Sequence, residues 1–419
     1  MTSATDADAR PSRTVGIFLS ISIALLVAVP ILQTTLVGSL SRIVPGAIAC
    51  MALAAVGMRG WLPRALAPLI LVGVYLAVMM FATWQANDPE GPTQSRLHLL
   101  LGVSIIAMAV LCNDRERSIV VRTVVLLAAV EGLYGIFEAL ASPGAIWGYS
   151  NKSVNGLPVL MESQIFEGLI RAQGSLGHPL VLAFLMVTGI GLVIGFRPFN
   201  KWWRLALIAV MFGGILAAGS RSGLAVAALL LLFSARHSAT RVVQGIYFAV
   251  AGYVVLTLTG FWESEVWLRF LNSDSLGHRQ SSFDAMSSLV NDQSAIQAWF
   301  GNGFWSTERL YRNGVLPSSN GFFAIDNQLV STLAEVGILG VIAIVGLGAA
   351  SIVWGDRRYA WAILAAFAMF WTFEVLLWPS TYGILLALVG LAAKPRTPRS
   401  AHEQRQAPAP FAREPVRLD

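Results

Sequence analysis

The sequence predicts an all-α, polytopic membrane protein of about twelve spans, each near the 20 or so apolar residues that a bilayer requires. Three observations carry this expectation. Hydrophobic residues make up 56% of the 419-residue chain and charged residues 12%, against roughly a quarter charged in soluble domains. Apolar segments recur along almost the whole length. The Lys and Arg residues also sort between alternate connections, as the positive-inside rule demands.

In order, the predicted spans cover 15–35, 43–58, 65–85, 97–112 and 119–140, then 179–196, 203–219, 222–235 and 242–260, and finally 327–353, 359–378 and 382–393. The first follows a polar leader carrying Arg10 and Arg13 and has no small-x-small cleavage site, so it reads as an uncleaved span. The third, ninth and eleventh are apolar over a full bilayer length. The sixth starts at Pro179, directly after a Gly-rich stretch. The shortest, 222–235 and 382–393, rely on local bilayer thinning.

Alternate threading from a cytoplasmic N-terminus places most of the 29 basic residues inside, among them Arg59, Arg115, Arg117, Arg197, Arg357 and Arg358. Arg42, Arg96, Lys152, Arg171, Arg221, Arg269, Arg279, Arg309 and Arg312 then lie outside, most of them in or beside the longer connections. Two outer connections exceed ordinary length, 141–179 and 261–326, the second a large loop between spans nine and ten. Loops of this size in a compact protein are functional or disordered. Their aromatic content, including Trp147, Phe166, Trp299, Phe304 and Trp305, argues for order, and 281–289 and 295–300 have an amphipathic pattern.

The chain thus divides into a cytoplasmic N-terminus over 1–14, a membrane domain over 15–393, and a Pro- and Arg-rich cytoplasmic tail over 394–419 expected to be disordered. The net charge of +6 belongs to inner loops and a tail facing anionic lipid, so nucleic acid is not an expected partner. Cys50 and Cys112, the only cysteines, fall within or at the inner end of apolar segments. No metal cluster is spelled.

Several polar residues could carry chemistry. Arg171 opens Arg171-Ala-Gln173-Gly-Ser-Leu-Gly-His178-Pro179. It reads either as an anchor for lipid phosphate or as part of a pocket for a diphosphate, which a guanidinium binds through paired hydrogen bonds. Gly174 and Gly177 would let backbone amides approach the same anion. Arg221, in Gly219-Ser220-Arg221-Ser222-Gly223, stands between closely spaced apolar segments, where an Arg is costly unless it is paired, snorkels or lines a wet cavity. Arg279 is a further phosphate or sugar ligand, or a solvated loop residue. Gly301-Asn302-Gly303 reads as a structural turn. Asp326, before Asn327 and Gln328 at the start of a span, is either a helix N-cap or a general base. Glu335 and Glu374 are intramembrane acids, a functional-site signal by default. Glu131 and Glu138, on one face with Tyr134 near, could line a proton path or a groove for a lipid head group.

Arg171-Ala-Gln-Gly with His178-Pro179, then Gly219-Ser-Arg221-Ser-Gly, then Arg279 ahead of Trp299-Phe-Gly-Asn-Gly303, then Asp326-Asn-Gln with Glu335-Val-Gly-Ile-Leu-Gly340 form an ordered set. It resembles the O-antigen ligase and O-antigen polymerase family of bacterial membrane glycosyltransferases over about residues 165–345. The resemblance implies a GT-C-like helical fold in the bacterial inner membrane and a metal-independent active site on its external, periplasmic side, with no cofactor. The implied donor is an undecaprenyl-diphosphate-linked saccharide and the implied acceptor a glycan or lipid hydroxyl. Arg171, Arg221 and Arg279 would hold the diphosphate, with Gln173, Ser220 and Asn327 as further binding groups. Arg221 would also stabilise the leaving group and Asp326 would act as base. The ligases carry a His where this chain has Asp326, which favours a polysaccharide polymerase over a ligase. The competing reading is a transporter or flippase of a lipid-linked or small solute, favoured by Glu131, Glu138 and Glu374.

Overall fold

A computed structural model describes residues 13–31, 37–59, 66–86, 91–148, 161–163, 165–166, 168–234, 274–316 and 325–393. Among them the regular structure is helical, the only extended pairing being an isolated bridge between Glu162 and Ile170. The first half contains α1 (Thr14–Ala28), α2 (Leu40–Arg59), α3 (Leu66–Ala86), α4 (Gly91–Leu111), α5 (Asp114–Ala141), α6 (Pro179–Phe196), α7 (Lys201–Ala217) and α8 (Arg221–Ser234). The second contains α9 (Asp274–Asn291), α10 (Ala295–Phe300), α11 (Thr307–Arg312), α12 (Gln328–Val353), α13 (Ala360–Ala368) and α14 (Pro379–Ala392).

Among the described residues six helices are long and apolar enough to cross a membrane: α2, α3 from Leu69, α4, α5, α6 and α12. Four shorter apolar helices accompany them: α1, α8, α13 with its 3-10 extension to Trp371, and α14. Every predicted span except the ninth overlaps one of these helices or α7, the first, 15–35, being helical only to Ala28 and lying outside the described residues over 32–35. The ninth, 242–260, lies outside the described residues, as do 261–273 and the tail. The predicted span 359–378 is corrected at its end, because helical structure stops at Trp371 and 372–378 run as an irregular connection. Leu53, Ile70, Leu133 and Ile342 are exposed on their helix faces. Apolar surface of this kind is a liability in water and ordinary against lipid tails. The chain has the helices and the surface of a membrane protein.

Helix termini sort polar groups into two opposite ends. At one end Arg59 pairs with buried Glu116 at 2.7 Å, and the same carboxylate accepts the Val15 amide at 3.0 Å. Glu116 also closes a capping box with Asn113 at the start of α5, satisfying two of the helix's orphan donors. Arg117 donates to the Ala393 carbonyl at 2.9 Å, the Asp356 amide to Ala392 at 2.7 Å, and Arg358 lies 5.0 Å over the Phe196 ring. This is the basic end. At the other, Trp147 donates to the Ala28 carbonyl and Ser175 to that of Val27, both at 2.9 Å. The Arg171, Gly219–Arg221 and Asp326 stretches all fall at this second end.

The insertion before α12 is ordered over 274–316, and the segments predicted as amphipathic are α9 and α10. Ala285 and Leu289 of α9, with Leu310, Tyr311 and Leu316, pack on Val330, Leu333 and Ala334 of α12 as a satellite core. Helix α12 is broken at Gly337, whose φ of 75° and ψ of −172° are not helical. Such a break frees carbonyls one turn earlier. Here Asn302 N donates to Ala334 O at 2.9 Å and Gly303 N to Glu335 O at 3.0 Å. A Cβ on Gly337 would stand 2.5 Å from Gly301 N. The Gly301-Asn302-Gly303 turn is therefore structural, fastening the insertion to the broken helix.

Candidate functional site

Arg171 follows the Glu162–Ile170 bridge and is held between that bridge and the end of α7. Its amide donates to Met161 O at 2.8 Å, and the next amide, Ala172, donates to Ala217 O at 2.9 Å. The guanidinium Nε donates to Ala218 O at 2.9 Å. Gly219 lies against the Arg171 stem, so close that a Cβ there would reach Cγ at 3.1 Å. Arg221 follows two residues later as the first residue of α8. The two arginines, 50 positions apart in sequence, thus belong to one loop–turn assembly at the same end of the bundle.

Ser220 is buried, and its hydroxyl caps α8 by accepting the Gly223 amide at 3.1 Å. Gln173 is also buried, with Nε2 unpartnered among the described residues.

One part of the sequence reading is corrected. The backbone amides beside Gly174 do not await an external anion, because the protein's own carboxylates occupy them. Glu138 Oε2 accepts Gln173 N at 3.0 Å and Gly174 N at 2.8 Å. Glu131 accepts Ser175 N at 3.0 Å and the Ser175 hydroxyl at 2.6 Å. Gly174 has φ +61°, and a Cβ there would meet Glu131 Oε2 at 2.4 Å. The glutamate stripe on α5 is thus the brace of the Arg171–Pro179 stretch.

His178 caps α6 by accepting the Leu180 amide at Nδ1. Its ring lies 5.0 Å from that of Trp378, the N-cap of α14, so two helices begin side by side. Burial, and then the positive charge of Arg171, push the His178 pKa down to about 3. The ring is therefore neutral at physiological pH and serves as a packing and hydrogen-bonding partner beside Arg171.

From Trp378 the irregular 372–378 connection leads to the acid group. Leu376 N donates to Gln328 Oε1 at 2.6 Å, clamping this connection to the first turn of α12. Glu374 lies near enough to the Ser331 hydroxyl, Glu335 and Asp326 for each to act on its carboxylate. Tyr311 of α11 faces the same group. Burial first, then Glu374 and Asp326, push its pKa upward, keeping it a neutral donor. Asp326 itself does not cap α12. Asn327 does, its Oδ1 accepting Leu329 N at 2.9 Å and Val330 N at 3.2 Å. Of the two readings of Asp326, the capping one is removed. Asn327 Nδ2 is buried and unpartnered among the described residues.

Glu335, two turns along α12, accepts Trp305 N at 3.1 Å and the Thr307 hydroxyl at 3.0 Å, so it fastens the insertion rather than facing the site. Arg279 lies on α9, and its side chain is outside the described residues. Ring contact joins His178 to Trp378, and the Leu376–Gln328 bond holds the connection after Trp371 to the start of α12, so the Arg171 and Asp326 stretches lie at the same end of the bundle. His178, Trp378, Tyr311, Ser331 and Glu374 join the site only through folding. Of these, His178 stood in the Arg171–Pro179 motif and Glu374 gave a signal as an acid in an apolar stretch.

No protein-family model matches the chain, and no curated protein matches its sequence. The class that fold and surface define is a protein whose described residues are helical, with six helices among them able to cross a membrane and a polar site at one end of the bundle.

Proposed function

We propose that the chain is a metal-independent transferase of lipid-linked glycan. It would act at the external face of a bacterial inner membrane, with about twelve spans in a GT-C-like arrangement. The observation that carries this reading is the meeting of Arg171 with the Gly219–Arg221 turn, at the end opposite the Arg59, Arg117 and Arg358 cluster. A basic end facing the cytoplasm puts the Arg171–Arg221 end outside.

The reaction follows from the groups at hand. The acceptor hydroxyl oxygen bonds to the anomeric carbon of the donor, and the bond from that carbon to the diphosphate oxygen breaks. Undecaprenyl diphosphate leaves with the electron pair. Arg171 and Arg221 hold the diphosphate and offset the charge that develops on it. Asp326 takes the hydroxyl proton, and the Asn327 carboxamide stands beside it as a donor. An acid in place of the ligases' His fits an acceptor that is itself a carrier-linked repeat, and thus a polymerase. Transport loses its chief support, since Glu131 and Glu138 are engaged in bracing a loop.

Deleting the gene and sizing surface and secreted polysaccharide tests the reading. Single repeats without long chains identify a polymerase, and loss of all attached glycan a ligase. An unchanged glycan profile counts against both.

A further inference from the structure

A crevice of about 380 Å³ opens at the same end of the bundle, between the C-terminus of α3 and the insertion. That volume is within the range of small-molecule sites, about 300–1,000 Å³. Its polar lining is dominated by carboxamides: Gln85, Gln293, Gln297, Asn302 and Asn313. Arg309 is the one charged side chain among the described lining residues, and no carboxylate lines it.

Arg309 is committed to the fold: it donates to Ala86 O at 3.2 Å and to Asn302 O at 2.6 Å. Asn302 is committed too, through Ala334 O at 3.1 Å. Gln297 uses its oxygen on Ser294, at 2.8 Å to the hydroxyl, and keeps its amide nitrogen for other partners. The side chains of Gln85, Gln293 and Asn313 have no hydrogen bond to the described residues. Recognition in the crevice therefore falls to carboxamides, which donate and accept in equal measure. Hydroxyls do the same. A phosphate or a lipid tail does not match this chemistry.

The position of the crevice is also specific. Leu310 lines it, while the adjacent Tyr311 faces Asp326 and Glu374. Helix α11 is thus the wall between the crevice and the acid group. Gly301 and Asn302, from the turn fastened to Ala334 and Glu335, line it as well.

We propose that this crevice is a saccharide subsite, holding uncharged, hydroxyl-rich sugar rings of the acceptor or donor glycan while the reacting end lies at Asp326. The inference deepens the glycan-transfer reading and rests on it.

The test uses the full chain in lipid nanodiscs. The probe is the oligosaccharide released by mild acid from the lipid-linked pool of the producing cells, so that it carries neither lipid nor diphosphate. Binding is read by saturation-transfer NMR and by titration. The parent chain should bind saturably, and so should Arg171→Ala. Gln85→Ala combined with Asn313→Ala should weaken binding by about tenfold, as expected from losing two or more hydrogen bonds. Asn313→Trp, which fills the space instead of emptying it, should weaken it as well. No saturable binding by the parent, or affinity equal to the parent's in both crevice variants, overturns the subsite. The same nanodiscs are then given intact lipid-linked donor and assayed for released undecaprenyl diphosphate. Release without saccharide binding removes the crevice and leaves the transfer reading standing. Saccharide binding without release removes the transfer reading and leaves a carbohydrate site.

Discussion

The Nε of Arg171 donates to the carbonyl of Ala218 at 2.9 Å, tying the end of one long connection to the turn that carries Arg221. The bond orients one guanidinium by the backbone that positions the other. It gives the site a geometry that neither stretch would hold alone, because an isolated loop loses conformational freedom on ordering. The tie also bears on substitution: Lys has no counterpart to a planar fork with one edge anchored to a carbonyl.

Orientation is the first expectation to check. A cysteine placed at exposed Asn291 should react with a membrane-impermeant thiol reagent in intact cells whose outer layers admit it. One at exposed Arg357 should stay unlabelled until the membrane is opened. The reverse labelling would turn the site toward the cytoplasm.

Asp326 and Asn327 should separate under mutation, since the cap belongs to Asn327. Asp326→Asn should leave thermal stability near the parent's and lower transfer by about 10²–10⁴-fold, the usual contribution of a positioned acid or base. Asp326→His should recover more activity than Asn, because imidazole accepts a proton near neutral pH. Asn327→Ala should instead destabilise by about 1 kcal/mol through the lost cap. An Asp326→Asn variant as active as the parent would exclude Asp326 as the base.

Glu138→Ala should loosen the Arg171 stretch by leaving the amides of Gln173 and Gly174 without their acceptor. Each buried unsatisfied group costs about 1–3 kcal/mol, readable as a lower midpoint in thermal unfolding. Glu138→Gln keeps an accepting oxygen and should lose much less. Equal destabilisation by the two would show that the charge, and not the hydrogen bonds, is what the loop needs.

Gly337→Ala forces a side chain into φ +75° and against the Gly301 backbone. Strain of about 1–3 kcal/mol is expected from the backbone alone, and the turn that fastens the insertion must shift. Limited proteolysis within 274–316 should accelerate relative to the parent, and an unchanged cleavage rate would contradict the fastening role.

Local chemistry made much of this fold readable. Apolar runs gave the helices, Pro179 marked the start of α6, and the patterns at 281–289 and 295–300 became α9 and α10. What stayed hidden depends on partners distant in sequence. Glu131 and Glu138 showed their common face, yet nothing along α5 reveals that amides some 40 residues later will donate to them and make them a brace. Glu374 became a neighbour of Asp326 only because 372–378 abandons the helix and is clamped by Gln328. The break at Gly337 was equally hidden, since a single Gly in an apolar run reads as tolerated within a helix.

The most direct test of the central claim is reconstitution of the full chain in proteoliposomes with an undecaprenyl-diphosphate-linked oligosaccharide. Glycan length and free undecaprenyl diphosphate are followed together by mass spectrometry. The account predicts longer glycan with stoichiometric release of undecaprenyl diphosphate. Both should be lost in Arg171→Ala and in Arg221→Ala and recovered only in part by Lys at either position. Donor that crosses the bilayer with its length and diphosphate intact, or full release in both Ala variants, would contradict it.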